Sequence, residues 1–336
     1  MAHKNGAEQI RPTRRSVLQG AAALMIGSAG SSGRAVAAGY PDRTVRIIAP
    51  FAPGGPSDIT ARLMTVKLSE ALGQSFIVEN RPGAGSNLGT VAVARSAPDG
   101  YTLLITSSAF VVNPSLYKQV PYDPLKDFAP VVELDTSPNV FIATHASGIT
   151  SIKEMIARAK QNPNELSYAY AGLGTTPHLA GELLKIIEGV NMTPVPYQGG
   201  GPAVQAVLAG TVPLGCASLP GAHPHIKSGA IRALAVTGPQ RWYDLPDVPT
   251  MIELGYADFV IDTFHCMLAP AGTPPEIVDR LAKACIDSLK EPAFHERLRS
   301  LGFETIANGP DGLRRRIVTD VERYRAIIAK AGIERV

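Results

Sequence analysis

Cysteine is scarce in this chain. Cys216, Cys266 and Cys285 are the only three in 336 residues. Such an odd, sparse count excludes a disulfide framework and leaves room for one bridge at most. Cys285 stands at helical spacing from Ile277, Leu281 and Leu289, the pattern of a core residue. The G-x-S-x-G elbow of serine hydrolases is missing. A complete G-x-G-x-x-G fingerprint is missing too: Gly172-Leu-Gly174 begins one, but Pro177 occupies its last position. His223-Pro-His225 brings two imidazoles without a close acidic or cysteine partner, too few ligands for a metal site. No metal and no cofactor is expected.

Excess charge is missing from most of the chain as well. In residues 1–37, Lys4, Arg11, Arg14, Arg15 and Arg34 stand against Glu8, a net charge of +4. The whole chain is +3, so the remainder carries −1. No nucleic-acid or anionic membrane partner is implied. The basic start has its own logic. Thr13-Arg14-Arg15-Ser16-Val17-Leu18 reads as a twin-arginine export motif, with Val17 where Phe is usual. The apolar stretch from Val17 to about Gly30 is interrupted by Gln19, Gly20 and Gly27 and falls short of the ~20 residues a spanning helix needs. Ala35-Val36-Ala37 is an A-x-A-type cleavage site. Residues 1–37 are therefore expected to be a signal peptide cleaved near Ala37, and the rest a periplasmic protein. No cysteine lies near the cleavage site to carry a lipid anchor.

The remaining chain is long enough for two cores. Short β-rich runs alternate with amphipathic helices. Strands are expected over Val45–Pro50, Ser75–Asn80, Tyr101–Thr106, Val140–Thr144, Leu166–Ala171, Met192–Tyr197, Val212–Ala217, Ile231–Thr237 and His265–Ala269. Between them, Ile59, Leu63 and Val66 share a helical face, Ser151-Ile-Lys-Glu154 is a capping box, and Gly189 ends the helix marked by Leu179, Leu183 and Ile187. Pro274-Pro275 begins another. This alternation predicts an α/β fold with mixed, mostly parallel sheets flanked by helices. Ligands in such folds sit at the carboxyl ends of strands.

One loop has that position. Phe51-Ala-Pro-Gly-Gly-Pro-Ser-Asp58 joins a strand to a helix start. Gly54 and Gly55 permit close backbone approach, and the helix offers free N–H groups to a carboxylate. The plainer alternative is a βα turn capped by Ser57 or Asp58. Thr106, Ser107 and Ser108 end another strand, with Asn113 just beyond. Gly172–His178 repeats the strand–loop–helix plan, and Tyr197-Gln-Gly-Gly-Gly-Pro202 supplies a further backbone-rich loop. None of these loops carries Lys or Arg, so an anion there is held by N–H groups, hydroxyls and water.

Several segments in order resemble one family: Tyr40-Pro-Asp-Arg-Thr-Val-Arg-Ile, Pro50-Phe-Ala-Pro-Gly-Gly, Val78-Glu-Asn-Arg-Pro-Gly-Ala-Gly-Ser-Asn, Ala97-Pro-Asp-Gly-Tyr-Thr-Leu-Leu, Tyr122-Asp-Pro-Leu-Lys-Asp-Phe-Ala-Pro-Val, His225-Ile-Lys-Ser-Gly-Ala-Ile-Arg and Leu268-Ala-Pro-Ala-Gly-Thr-Pro. The set is similar to the periplasmic substrate-binding component of tripartite tricarboxylate transporters, the Bug receptor family, over nearly all of residues 40–336. The resemblance implies a two-lobed, type II periplasmic-binding-protein-like fold with two hinge crossings. One lobe would combine 38–140 with 263–336; the other would hold 141–262. It also implies a monomeric, non-enzymatic receptor that closes on a small organic acid and presents it to membrane subunits of a transporter. The ligand-binding residues it suggests are Pro53, Gly54, Gly55, Ser57, Asp58, Thr106, Ser107, Ser108, Asn113, Gly174, Thr175, Thr176, His178, Tyr197, Gly199 and Ser218. Family members that bind amino acids carry an acid after the strand matching Val212–Ala217. This chain reads Gly215-Cys216-Ala217-Ser218-Leu219, so aspartate and glutamate are not expected as ligands. Two other readings stay open: a ligand sensor for a signalling partner, and a periplasmic hydrolase using Cys216 or Cys266 with His178, His223, His225 or His265.

Overall fold

A computed structural model describes Met1, residues 39–330 and residues 332–335. Apart from Met1, the expected signal peptide lies outside the described residues. The elements run β1 (Val45–Ala49), α1 (Pro56–Leu72), β2 (Phe76–Asn80), α2 (Asn87–Ala94), β3 (Thr102–Ser107), α3 (Ala109–Leu116), β4 (Phe128–Ala143), α4 (Ile152–Gln161), β5 (Ser167–Tyr170) and α5 (Thr176–Glu188). They continue with β6 (Thr193–Pro196), α6 (Gly200–Leu208), β7 (Leu214–Ser218), α7 (Leu219–Lys227), β8 (Arg232–Val236), β9 (Asp262–Pro270), α8 (Pro275–Leu289), α9 (Pro292–Ser300), β10 (Glu304–Asn308) and α10 (Pro310–Lys330). Among the described residues, no helix is long and apolar enough to cross a membrane.

Each strand expected from sequence has a counterpart. Two features were not foreseen: β10, and the first half of β4. Pro130 and Pro138, with the polar Glu133 and Asp135 between them, break the apolar run there. Pairing is also less parallel than the alternation suggested. Strands β2-β1-β3 and β6-β5-β7 run parallel, but β4 and β9 run antiparallel to all their partners.

The long strand β4 organises the molecule. Its first half pairs with β9, from Phe128↔Pro270 to Pro138↔Asp262, and with β10. From Asn139 onward it pairs instead with β7 and β8. Each half supports its own apolar packing. Leu104, Phe110, Phe264, Ile317 and Tyr324 gather by the first half. The second half is covered by Phe141, Tyr168, Leu184 and Met251 on one face and by Ile142, Val204, Val207 and Trp242 on the other. Every such buried side chain contributes roughly 1.5–3 kcal/mol. The result is a two-lobed α/β architecture strung on one strand, with the chain returning at Ile261–Asp262.

Local signals explain the helix ends. The Ser151 hydroxyl accepts the Glu154 N–H at 3.1 Å, while the Glu154 carboxylate reaches back to the Thr150 N–H at 2.8 Å. Gly189 ends α5 in the left-handed region, at φ 62. The three thiols are buried and unpaired; burial pushes each well up from its ordinary range, which keeps them protonated and poor as nucleophiles.

Candidate functional site

Four helix N-termini converge on one cavity of about 30 Å³. Gly55, Pro56 and Ser57 bring the start of α1; Thr175, Thr176 and Pro177 that of α5; Gly200 that of α6; and Ser218 precedes α7. None of these helices has a side-chain cap. The N–H groups of these first turns, apart from those missing at prolines such as Pro56, Pro177 and Pro220, and their partial positive charge therefore lie at the cavity. Each contributes about 0.3–1 kcal/mol towards an anion when exposed, more when partly buried. Phe51, Ser107, Ala171, Thr263 and His265 complete the lining, which contains no Lys, Arg, Asp or Glu.

Asp58 does not cap α1. Its carboxylate accepts the Gly54 N–H at 3.0 Å, Arg62 Nε at 3.0 Å and Asn80 Nδ2 at 2.9 Å. Burial raises this carboxyl, and the bonds from Arg62, Gly54 and Asn80 more than offset that, holding it below its usual range. Asn80 Nδ2 also donates to the Phe51 carbonyl at 3.0 Å. Asp58 therefore shapes the loop from behind and leaves the backbone to face the cavity.

The hydroxyls are held in networks. Thr176 and Thr263 share a short hydrogen bond, which leaves one of their two hydroxyl protons for Asn139 Oδ1, 2.9 Å from Thr263 and 3.3 Å from Thr176. Asn139 stands where β4 changes partners and donates through Nδ2 to the Ile261 carbonyl at 3.0 Å. Ser218 pairs with Ser137 at 2.7 Å. The cavity wall is therefore wired to the point where β4 changes partners and, through Asn139, to the backbone just before β9.

Of the residues suggested from sequence, Gly55, Ser57, Ser107, Thr175, Thr176 and Ser218 line this cavity. Gly199 lies beside it as the residue before α6. Thr106 alternates with Ser107 along β3 and so faces the opposite side of the sheet. The Ser108 hydroxyl accepts the Phe264 N–H at 2.9 Å, clamping β3 to β9. Pro53 and Gly54 are exposed at the loop tip. Asn113 donates to the Gly85 carbonyl and to Asn87 Oδ1, both at 2.7 Å, and a Cβ on Gly174 would fall 1.8 Å from its Oδ1. Tyr197 lines a neighbouring cavity of about 270 Å³ with Tyr117 and Gly172; Phe51 and Ala171 border both spaces. His178 is turned away. It stacks on Tyr170 at 4.9 Å beside a separate cavity, and burial depresses it to about 4, so it stays neutral near pH 7.

Thr263 and His265 were not singled out as ligand residues. Their signal was the two-residue spacing in Asp262-Thr-Phe-His265, which sends both side chains to one face of β9. Across the cavity, the two glycine loops touch. The Ala52 N–H donates to the Gln198 carbonyl at 2.8 Å. A Cβ on Gly55 would stand 3.2 Å from the Gly200 nitrogen, and one on Gly201 2.7 Å from the Pro53 carbonyl. Only glycines let these backbones approach so closely.

Known proteins resemble this chain in sequence and in fold. Protein BugT of Bordetella pertussis (strain Tohama I) is 36% identical over 311 residues, 92% of this chain and 95% of that protein. The structure of periplasmic binding protein BugD superposes with a TM-score of 0.85 at 39% identity, covering 88% of this chain and 99% of that one. A Rhodopseudomonas palustris protein solved with adipate gives a TM-score of 0.85 at 36% identity, with coverages of 88% and 99%. MatC from the same organism, with bound malate, gives 0.82 at 32% identity, with coverages of 86% and 100%. The model of the tripartite tricarboxylate transporter family receptor matches residues 60–333. The chain belongs to that family of periplasmic substrate-binding receptors.

Proposed function

We propose that this protein binds a small carboxylate-bearing compound in the cavity between its lobes and delivers it to the membrane subunits of a tripartite tricarboxylate-type transporter. The observation that carries the reading is the convergence of four uncapped helix N-termini on a cavity without Lys or Arg. N–H groups at helix starts bind carboxylates. A low-dielectric enclosure strengthens those bonds. The carboxylate would sit among Ser57, Thr176, Gly200 and Ser218, with the remainder directed towards Tyr117 and Tyr197. Adipate and malate in two related proteins support this ligand class.

The lobes in this proposal are residues 38–140 with 263–336, and residues 141–262. Support comes from the change of partners along β4 at Asn139 and the return at Ile261–Asp262. The 53–58 and 198–201 loops already meet here, so this structure corresponds to the closed form, and opening about these crossings would part them. We further propose export by the leader, action as a monomer, and no catalytic activity. Buried, protonated thiols and the engagement of His223 Nε2 by Asp244 at 3.0 Å support the last point.

A thermal-shift screen of the purified protein tests the reading. Mono-, di- and tricarboxylates, aromatic acids, amino acids and neutral analogues form the panel. A ligand that binds only the folded state raises the melting temperature. One class of acid is expected to give a clear rise and its neutral amides none. A rise with neutral compounds alone would refute the carboxylate assignment.

A further inference from the structure

We infer that the ligand donates a hydrogen bond from a hydroxyl group to Nε2 of His265, so that the receptor selects hydroxy acids over their deoxy counterparts. This rests on the cavity being the ligand site, as proposed above.

His265 is fully buried and lines the cavity. In register it lies between Ser107 of β3 and Asp135 of β4. Its Nδ1 is 2.6 Å from Asp135 Oδ1, and the other Asp135 oxygen accepts the Thr60 hydroxyl at 2.9 Å. The ring also meets Phe303 edge-on, with centroids 5.7 Å apart. A carboxylate accepts from Nδ1, so the tautomer this contact selects carries its proton on Nδ1. Nε2 then presents a lone pair. It has no partner within the protein despite complete burial.

A buried polar nitrogen without a partner is costly, and a ligand with a donor removes that cost. A carboxylate has no donor. The helix starts and hydroxyls already suit a carboxylate, whereas Nε2 is an acceptor among them. An acid that also bears a hydroxyl satisfies both kinds of group at once. An ammonium group donates too, but it needs an opposing charge, and the lining has no carboxylate.

Titration calorimetry on matched pairs decides the matter: malate against succinate, lactate against propionate, and 3-hydroxybutyrate against butyrate. The purified protein is expected to bind the hydroxy member of at least one pair about tenfold or more tightly. His265→Asn is the companion variant. Its amide nitrogen can meet Asp135 as Nδ1 does, but nothing replaces Nε2. In this variant the preference is expected to fall below about twofold. Equal binding within every pair by the unaltered protein, which needs no variant, would overturn the inference while leaving the receptor reading intact. So would a preference that survives in folded His265→Asn, or tighter binding of the corresponding amino acid. Failure of every carboxylate to bind would overturn the receptor reading and this inference with it.

Discussion

Gly201→Val is expected to weaken ligand binding by about 100-fold while the ligand-free protein melts within about 2 °C of the unaltered one. Gly201 lies in the first turn of α6, where valine is conformationally acceptable. The obstacle is across the seam. A Cβ there would stand 2.7 Å from the Pro53 carbonyl oxygen and 3.0 Å from the Gly54 carbonyl carbon. Backbone cannot swing aside as a flexible side chain can, and overpacking of this kind costs about 1–3 kcal/mol. In the proposed mechanism that cost falls on the closed form alone. The apparent affinity falls by the same factor as the closed fraction, and about 2.7 kcal/mol is 100-fold. An open form, with the two loops parted, would have no such clash and would keep its stability. Calorimetry and thermal melting on the same sample check both halves. Unchanged affinity would mean that the 53–55 and 199–201 loops need not meet when ligand is bound.

Arg316→Met is expected to destabilise the fold by about 3–5 kcal/mol, a fall in melting temperature on the order of 10 °C. Arg316 on α10 ties three elements together. It reaches Asp262 of β9 at 2.8 Å, Asp320 of its own helix at 2.6 Å and Glu133 of β4 at 3.5 Å. Glu133 and Asp320 are almost fully buried. Burial pushes both carboxyls up, and Arg316 works against that rise. Burial also opposes the Arg316 cation itself, but Asp262 and Asp320 reverse this and raise it. Methionine keeps the stem, takes away the cation beside Glu133, and leaves Asp262 and Asp320 with only the longer contacts to Arg323 at 3.7 and 3.8 Å. The sign of the pH effect follows. A carboxyl whose folded value is raised favours the folded state in acid and loses that contribution as pH rises through the folded value. Without Arg316 both carboxyls rise further, so the deficit of the variant should be larger at pH 7 than at pH 5. Denaturant melts at the two pH values check this. A deficit below about 1 kcal/mol at pH 7 would show that these carboxylates do not depend on Arg316. The cluster ties β4 to β9, the strand that bears Thr263 and His265, so the variant should weaken ligand binding as well.

The sequence made the supporting parts of this molecule legible to different degrees. Apolar runs such as Val45-Arg-Ile-Ile-Ala49 and Leu103-Leu-Ile105 announce buried strands because their environment is apolar on both faces. The capping box at Ser151 and the stop at Gly189 are local, and local chemistry decides them. The glycine loops were legible as places where backbone comes close, but not what it comes close to. That Gly55 meets Gly200 is a property of tertiary structure. The first half of β4 was hidden for a related reason. Its Glu133 and Asp135 look like surface residues until Arg316 and His265 arrive from far along the chain to pair with them. His265 was visible only as the start of an expected strand and as one of four candidate bases for a hydrolase. Its place in the cavity depends on the antiparallel register of β9 between β3 and β4. His178 shows the converse. It follows a loop that lines the cavity, yet the turn of α5 sends it to Tyr170.

A crystal structure of the protein with the acid selected by thermal shift tests the central claim most directly. The expected density lies between the lobes, with a carboxylate accepting hydrogen bonds at the starts of α1, α5 and α6, near Ser57, Thr176 and Gly200, and the loops at 53–55 and 199–201 in contact. Density in the separate cavity beside Tyr170 and His178, with the convergent helix starts holding no part of the acid, would contradict it.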